Sequence, residues 1–217
     1  MQVLLITCFL ATHLSLGVSL ECEECVGVGN NCNGHKKTCP LDRGSCAVIA
    51  MEVQGHKGIA KTCVPPSSCN VGFGVLNIGQ VGVQKNLVSC CEGDECRRSA
   101  VTLPERNTTL NGRKCPGCYA FQKTCDEITV ECAGNELFCF DMSGTSTVGS
   151  VVTSVVMKGC ANEAACYNLE NAESSIGPVN VIHTARCTDG AVPGHTSNVW
   201  ELLCPTLSGL MLVMFLV

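Results

Sequence analysis

The sequence is poor in the residues that ordinarily build a core and a charged surface. Aromatic residues make up 4% of its 217 positions and charged residues 15%, against about a quarter charged in an average globular chain. Lys and Arg number 14 and are spread along the chain, and the net charge is −5, so there is no basic stripe to hold a nucleic acid. No Walker-type phosphate loop occurs. His35, His56, His183 and His195 stand apart from any motif that pairs a nucleophile, a base and an orienting carboxylate. These absences exclude nucleotide-driven and triad chemistry, call for no cofactor, and leave no catalytic residue to nominate.

Cysteine is abundant instead, with 20 residues. A reducing cytosol would keep so many thiols free and reactive. The composition therefore points to an oxidising compartment, where small domains with little apolar volume are cross-linked. Both ends read as addresses. Residues 1–16 are an apolar run and Gly17-Val18-Ser19 supplies small residues for a signal peptidase, giving a signal peptide over 1–19 and a mature start at Leu20. At the other end, residues 190–217 finish in the apolar stretch Leu207–Val217, with no charge after Glu201. Small residues, a polar spacer and an apolar tail form a glycosylphosphatidylinositol (GPI) attachment pattern. Asp189 and the pair Ser197 and Asn198 are the alternative attachment points; simple secretion is the competing reading. Cys8 lies in the signal and Cys204 in the tail, so removing both segments leaves 18 cysteines, an even number that can pair completely.

The cysteine spacings repeat. The first half runs Cys22-x2-Cys25-x6-Cys32-x6-Cys39-x6-Cys46-x16-Cys63-x5-Cys69-x20-Cys90. The second runs Cys115-x2-Cys118-x6-Cys125-x6-Cys132-x6-Cys139-x20-Cys160-x5-Cys166-x20-Cys187, with one four-residue insertion between Cys139 and Cys160. Two tandem modules follow, at 20–101 and 112–189, with 102–111 as a linker without cysteine or apolar periodicity. The first ends in Cys90-Cys91-x4-Cys96, and the second lacks the last two cysteines of that pattern. The modules therefore hold ten and eight cysteines, both even.

Strands are predicted over Ser45–Val53 and Ile59–Val64 around a turn at 54–58, and over Leu137–Met142 and Val151–Met157 around a loop at 143–150. Gln84–Cys90 and Val179–Cys187 are further strand candidates. The glycines at 72, 74, 79 and 82 read as a finger loop, and a short helix is expected over Ala161–Leu169. Cys22-x2-Cys25 and Cys115-x2-Cys118 also have the spacing of a zinc knuckle or a redox pair. The oxidising compartment and the absence of a βαβ context favour disulfides. Asn107-Thr108-Thr109 is the single N-glycosylation sequon, placed in the linker. Residues 20–103 are charge-balanced, with eight basic and eight acidic residues, whereas 111–189 carry five and nine. A net −4 module can steer a basic partner.

Leu20-Glu-Cys-Glu-Glu-Cys25, the x2-x6-x6-x6 ladder and the Cys90-Cys91-x4-Cys96 terminus resemble the three-finger fold of snake toxins, lymphocyte antigens and the urokinase receptor. Two such modules, the second opening Lys114-Cys-Pro-Gly-Cys-Tyr119 and lacking its final pair, look most like the gamma-type phospholipase A2 inhibitors. Spacing does not fix connectivity, since eight cysteines allow 105 pairings. The resemblance implies Cys22–Cys46, Cys25–Cys32, Cys39–Cys63, Cys69–Cys90 and Cys91–Cys96, then Cys115–Cys139, Cys118–Cys125, Cys132–Cys160 and Cys166–Cys187. It also implies an all-β, disulfide-rich fold and a non-catalytic extracellular binding protein. The partner that the resemblance implies is an extracellular protein such as a secreted phospholipase A2, with contacts expected through loops 54–58 and 143–150 and the faces near the linker; a GPI-anchored receptor with another protein ligand is the alternative. Two features depart from the family pattern. Arg97 stands where an Asn usually follows the last cysteine, and secreted inhibitors need no apolar tail.

Overall fold

A computed structural model describes residues 19–93, 95–98, 101–148, 150–171 and 181–190. Residues 1–18 of the expected 1–19 signal peptide and positions Ser197 and Asn198 lie outside the described residues. The first module contains β1 (Glu21–Val28), β2 (His35–Thr38), β3 (Ser45–Val53), β4 (His56–Val64), β5 (Phe73–Asn77), β6 (Val83–Cys91) and the single-turn helix α1 (Glu95–Arg98). The second contains β7 (Leu110–Ala120), β8 (Ile128–Ala133), β9 (Phe138–Val148), β10 (Val151–Ala161), the helix α2 (Glu163–Glu170) and β11 (Val181–Asp189). Both are antiparallel three-finger units. Each buries its stacked disulfides at the base and sends hairpins outward.

The central finger of module one is the β3–β4 hairpin, paired without a break from Ser45↔Val64 to Val53↔His56. Its turn is two residues, Gln54 and Gly55, with φ of 52° and 82°. Both lie in the left-handed region, the geometry whose twist matches a right-handed hairpin. Gly55 adopts it freely. Gln54 is held there because its side-chain Nε2 donates to the Val81 carbonyl at 2.6 Å, tying this fingertip to the third finger. The expected turn at 54–58 is thus too long: His56, Lys57 and Gly58 belong to β4.

The same correction is larger in module two. β9 and β10 pair continuously from Phe138↔Ala161 to Val148↔Val151, so the expected loop 143–150 is strand through Val148. Its Ser, Thr and Val residues satisfy a ladder, because β-branched side chains suit a pleated surface. The four-residue insertion therefore lengthens the finger, to two strands of 11 residues, where β3 and β4 have 9 each. The glycine-rich stretch expected as a finger loop is also partly strand, since Gly74 lies within β5. The helix expected over Ala161–Leu169 begins later, at Glu163. Ala161 instead closes β10, and Asn162 caps the helix.

The two modules share one sheet, in the order β11-β9-β10-β5-β6-β3-β4-β1-β2, with β7 and β8 branching from β10. The joint is the pairing of β5 with β10, Asn77↔Cys160 and Leu76↔Ala161. Asn77 ends the rising strand of module one's third finger, and Cys160 lies at the base of module two. The first module's third fingertip is therefore seated on the base of the second. Leu76 and Ile78 from module one join Phe140, Met142, Val155, Met157, Ala165 and Leu169 from module two in one buried apolar cluster. The chain between the modules is less open than a bare linker: Arg106 is half-buried, and β7 starts at Leu110, within the expected 102–111 span.

Candidate binding surfaces and the module joint

Nine disulfides join Cys22–Cys46, Cys25–Cys32, Cys39–Cys63, Cys69–Cys90, Cys91–Cys96, Cys115–Cys139, Cys118–Cys125, Cys132–Cys160 and Cys166–Cys187. Their Cα–Cα separations run from 5.2 Å to 5.9 Å, within the span a disulfide can bridge. At the base of module one, the Cys22 and Cys39 sulfurs of two different disulfides approach to 3.1 Å. In module two the Cys115 and Cys132 sulfurs approach to 3.5 Å. The trios Cys22, Cys39, Cys63 and Cys115, Cys132, Cys160 bring sulfurs together at metal-site distances. All six are bonded to other cysteines and offer no thiolate, which zinc coordination requires. The CxxC pairs singled out in the sequence are likewise divided between disulfides, with Cys22 and Cys25 bonded to different partners.

A buried ion pair stands beside this base. Lys61 is 1% exposed; its Nζ lies 3.0 Å from Glu23 Oε2 and donates to the Arg97 carbonyl at 3.1 Å. Glu23 Oε1 accepts the Gly34 backbone N–H at 2.9 Å. That hydrogen bond, and then the Lys61 ammonium, hold the Glu23 carboxyl below its ordinary value, against the opposing pull of burial. Arg97 thus takes part in the base through its backbone carbonyl, at the position where the resemblance expects an Asn side chain.

The joint between modules is polar as well as apolar. Glu136 is buried in module two, and its Oε2 accepts from Asn77 Nδ2 of module one and from the Ala133 N–H, each at 3.0 Å. Its Oε1 accepts from Arg106 Nε in the connecting chain at 2.6 Å. One carboxylate therefore binds both modules and the segment between them. On the far side, Asn162 Oδ1 accepts from the Ala165 N–H, capping α2, and from the Val75 N–H of β5, each at 3.0 Å. Its Nδ2 donates to the Phe73 carbonyl at 2.7 Å. The Asn162 side chain continues the β5–β10 ladder past its last residue pair. Strand approach is close enough that a Cβ on Gly159 would lie 2.1 Å from the Asn77 carbonyl oxygen. Nothing in the sequence marks Asn77, Glu136 or Asn162 as joint residues: a lone Glu or Asn outside a repeat has no periodicity to mark it.

A groove of about 640 Å³ opens at this joint between Ser67, Asn70 and Phe73 on one side and Asn135, Glu163 and Tyr167 on the other. Val26 and Val28 stand near the first fingertip of module one, and Val151, Val152 and Val181 near the tip of module two. His35, His56 and His183 are exposed on β2, β4 and β11, with no shared site. Asn107 is exposed, and its Oδ1 accepts the Thr109 N–H at 2.9 Å. Asp189 is the exposed last residue of β11.

Comparisons with known proteins agree with this architecture. The family described as "Phospholipase A2 inhibitor" matches residues 20–98, and that described as "u-PAR/Ly-6 domain" matches 111–192. A phospholipase A2 inhibitor gamma subunit of Gloydius brevicaudus siniticus is 31% identical over 195 residues, covering 87% of this chain and 96% of the relative. Phospholipase A2 inhibitor NAI of Notechis ater is 32% identical over 180 residues, covering 78% and 88%. A gamma subunit from Elaphe climacophora is 33% identical over 177 residues, with the same coverage. With two disulfide-stacked three-finger modules and near full-length similarity to these proteins, the chain belongs to the phospholipase A2 inhibitor gamma-subunit family.

Proposed function

We propose that the protein is a non-catalytic extracellular binding protein that occludes a secreted phospholipase A2. The observation that carries this reading is the similarity to snake phospholipase A2 inhibitors over almost their whole length. The architecture supports it physically. Nine disulfides and the Glu136 clasp hold the fingers in one arrangement, so little conformational entropy is lost when a partner binds. Titrating purified secreted phospholipases against the protein tests the reading: vesicle hydrolysis falls as inhibitor is added. No binding and no inhibition at micromolar protein would overturn it.

Attachment to the outer membrane leaflet through a GPI anchor is a second reading, supported by the small residues, spacer and apolar tail of 190–217. The hydrogen bonds of Gly190 count against Asp189 as the attachment point. Cleavage after Asp189 would remove Gly190, whose N–H donates to the Leu137 carbonyl at 2.9 Å and whose carbonyl accepts from Arg113 at 2.9 Å. A phosphatidylinositol-specific lipase releases an anchored protein from expressing cells; retention after treatment would count against the anchor. The exposure of Asn107 supports a glycan there. Intact mass of the mature protein reads the start at Leu20, the carboxyl terminus and the glycan together.

A further inference from the structure

From Met142 to Met157 the longest finger of the chain carries no charged side chain. It is 16 residues of Ser, Thr, Gly, Val and Met. Its module-one counterpart, residues 49–60, carries Glu52, His56 and Lys57. One face of this finger is committed: Met142, Val155 and Met157 are buried in the core shared with α2. Register fixes what the opposite face holds. Ser143 pairs Thr184, Thr145 pairs Val181, and Thr147 pairs Val152, and the 2.7 Å contact between the Ser143 and Thr184 hydroxyls places β9 and β11 side chains on that common face. Charge returns only at the base of the finger, where Lys158 sits 2.9 Å from Asp141 and 2.8 Å from Glu127. At the tip, Val151 is 63% exposed, Val152 65% and Val181 51%.

We propose that this uncharged face of the β9–β10–β11 finger is the surface that docks on the phospholipase, against a patch of the enzyme that is itself uncharged. The proposal rests on the inhibitor reading above. A finger without charge meets such a patch with no ion to desolvate, whereas each unpaired charge buried there would cost affinity. A lipid bilayer as the occupant fits less well. Interfacial insertion uses bulky aromatic or Leu side chains with Lys or Arg beside them, and the tip offers Val among hydroxyl residues with no cation.

The test uses Val152→Asp and Val181→Asp, with Leu41→Asp in the connection between β2 and β3 of module one as the control, all at exposed positions. Each variant is checked for an unchanged thermal midpoint and then titrated against the phospholipase that the unmodified protein inhibits best. The finger variants are expected to weaken binding at least about tenfold, with the control within about twofold. Binding by the unmodified protein should change less than about threefold between roughly 50 and 500 mM salt, since no ion pair forms. Unaltered inhibition by both finger variants overturns the proposal and leaves the inhibitor reading standing. Absence of inhibition by the unmodified protein overturns both. Sedimentation of the unmodified protein with phosphatidylcholine vesicles, or self-association abolished by Val152→Asp, would assign the face to lipid or to a second copy and overturn it as well.

Discussion

Asn77 in the first module and Glu136 in the second share a buried hydrogen bond of 3.0 Å between the Asn77 Nδ2 and the Glu136 Oε2. The carboxylate that accepts it is also bound by Arg106, so the angle between modules is fixed by a charge-assisted network as well as by strand pairing. Glu136→Ala leaves the Ala133 N–H unpaired in a buried setting, deprives Arg106 of its carboxylate, and leaves the Asn77 amide only the Glu131 carbonyl at 3.3 Å. Stability should fall by about 2–3 kcal/mol, read by denaturant titration. Small-angle scattering should show a broader spread of module separations.

Asn162 does two tasks with one side chain. Asn162→Ala removes the cap of α2, worth about 1 kcal/mol, and also strands the Val75 N–H and the Phe73 carbonyl of the other module. Asn162→Asp keeps the cap acceptor and loses the donor to Phe73. Expected destabilisation is largest for Ala and intermediate for Asp, by thermal melting. Equal losses would show that the donor to Phe73, not the cap, carries the effect.

Gly159 permits the close approach of β10 to β5. Gly159→Val puts side-chain carbon where the Asn77 carbonyl now lies, so the β5–β10 ladder must part. The expected outcome is faster proteolytic cleavage between residues 102 and 109, with each module still resistant. A cleavage rate equal to that of the unmodified protein would contradict the role given to this contact.

The Lys61–Glu23 pair gives a pH dependence of known sign. The Glu23 carboxyl is held below its ordinary value of 4.5, so the unfolded chain binds the extra proton first. The stability from this group is present above about pH 4.5 and is lost as pH falls through the lower folded value. Glu23→Gln leaves Lys61 buried without a counter-charge and should cost about 3–5 kcal/mol at pH 7, while Lys61→Met with Glu23→Leu should cost far less. Melting temperatures between pH 7 and 3 check both statements, with the double variant showing a flatter acid limb.

The disulfides should rank by loop length. Cys132–Cys160 spans 28 residues and Cys91–Cys96 spans 5. The loop-entropy relation gives about 3.6 kcal/mol for the first and about 2 kcal/mol for the second. Replacing each pair with Ser and measuring unfolding in guanidinium tests the order. A larger loss for Cys91–Cys96 would mean that packing, not loop closure, dominates at the base.

What was legible in the sequence followed from what repeats. Cysteine spacing is a one-dimensional trace of a three-dimensional frame, so the two modules stood out, and the β-branched runs at Ser45–Val53 and Val151–Met157 marked the central fingers. The pairings of the cysteines came only with the family resemblance. Finger length at 143–150 is not legible in the sequence, because Ser, Thr and Gly are both turn formers and, when a partner strand supplies the ladder, acceptable strand residues. The joint was invisible. Asn77, Glu136 and Asn162 lie far apart in sequence, and each acquires its role only when β5 meets β10, a pairing that no local pattern encodes.

The seating of one module's third fingertip on the next module's base gives the chain a direction. Module one commits that fingertip to the joint, so the two modules together offer at most one complete set of three. Any ligand that must touch all three fingers finds a single place to do so, and for such a ligand duplication of the module gives one place of attachment rather than two.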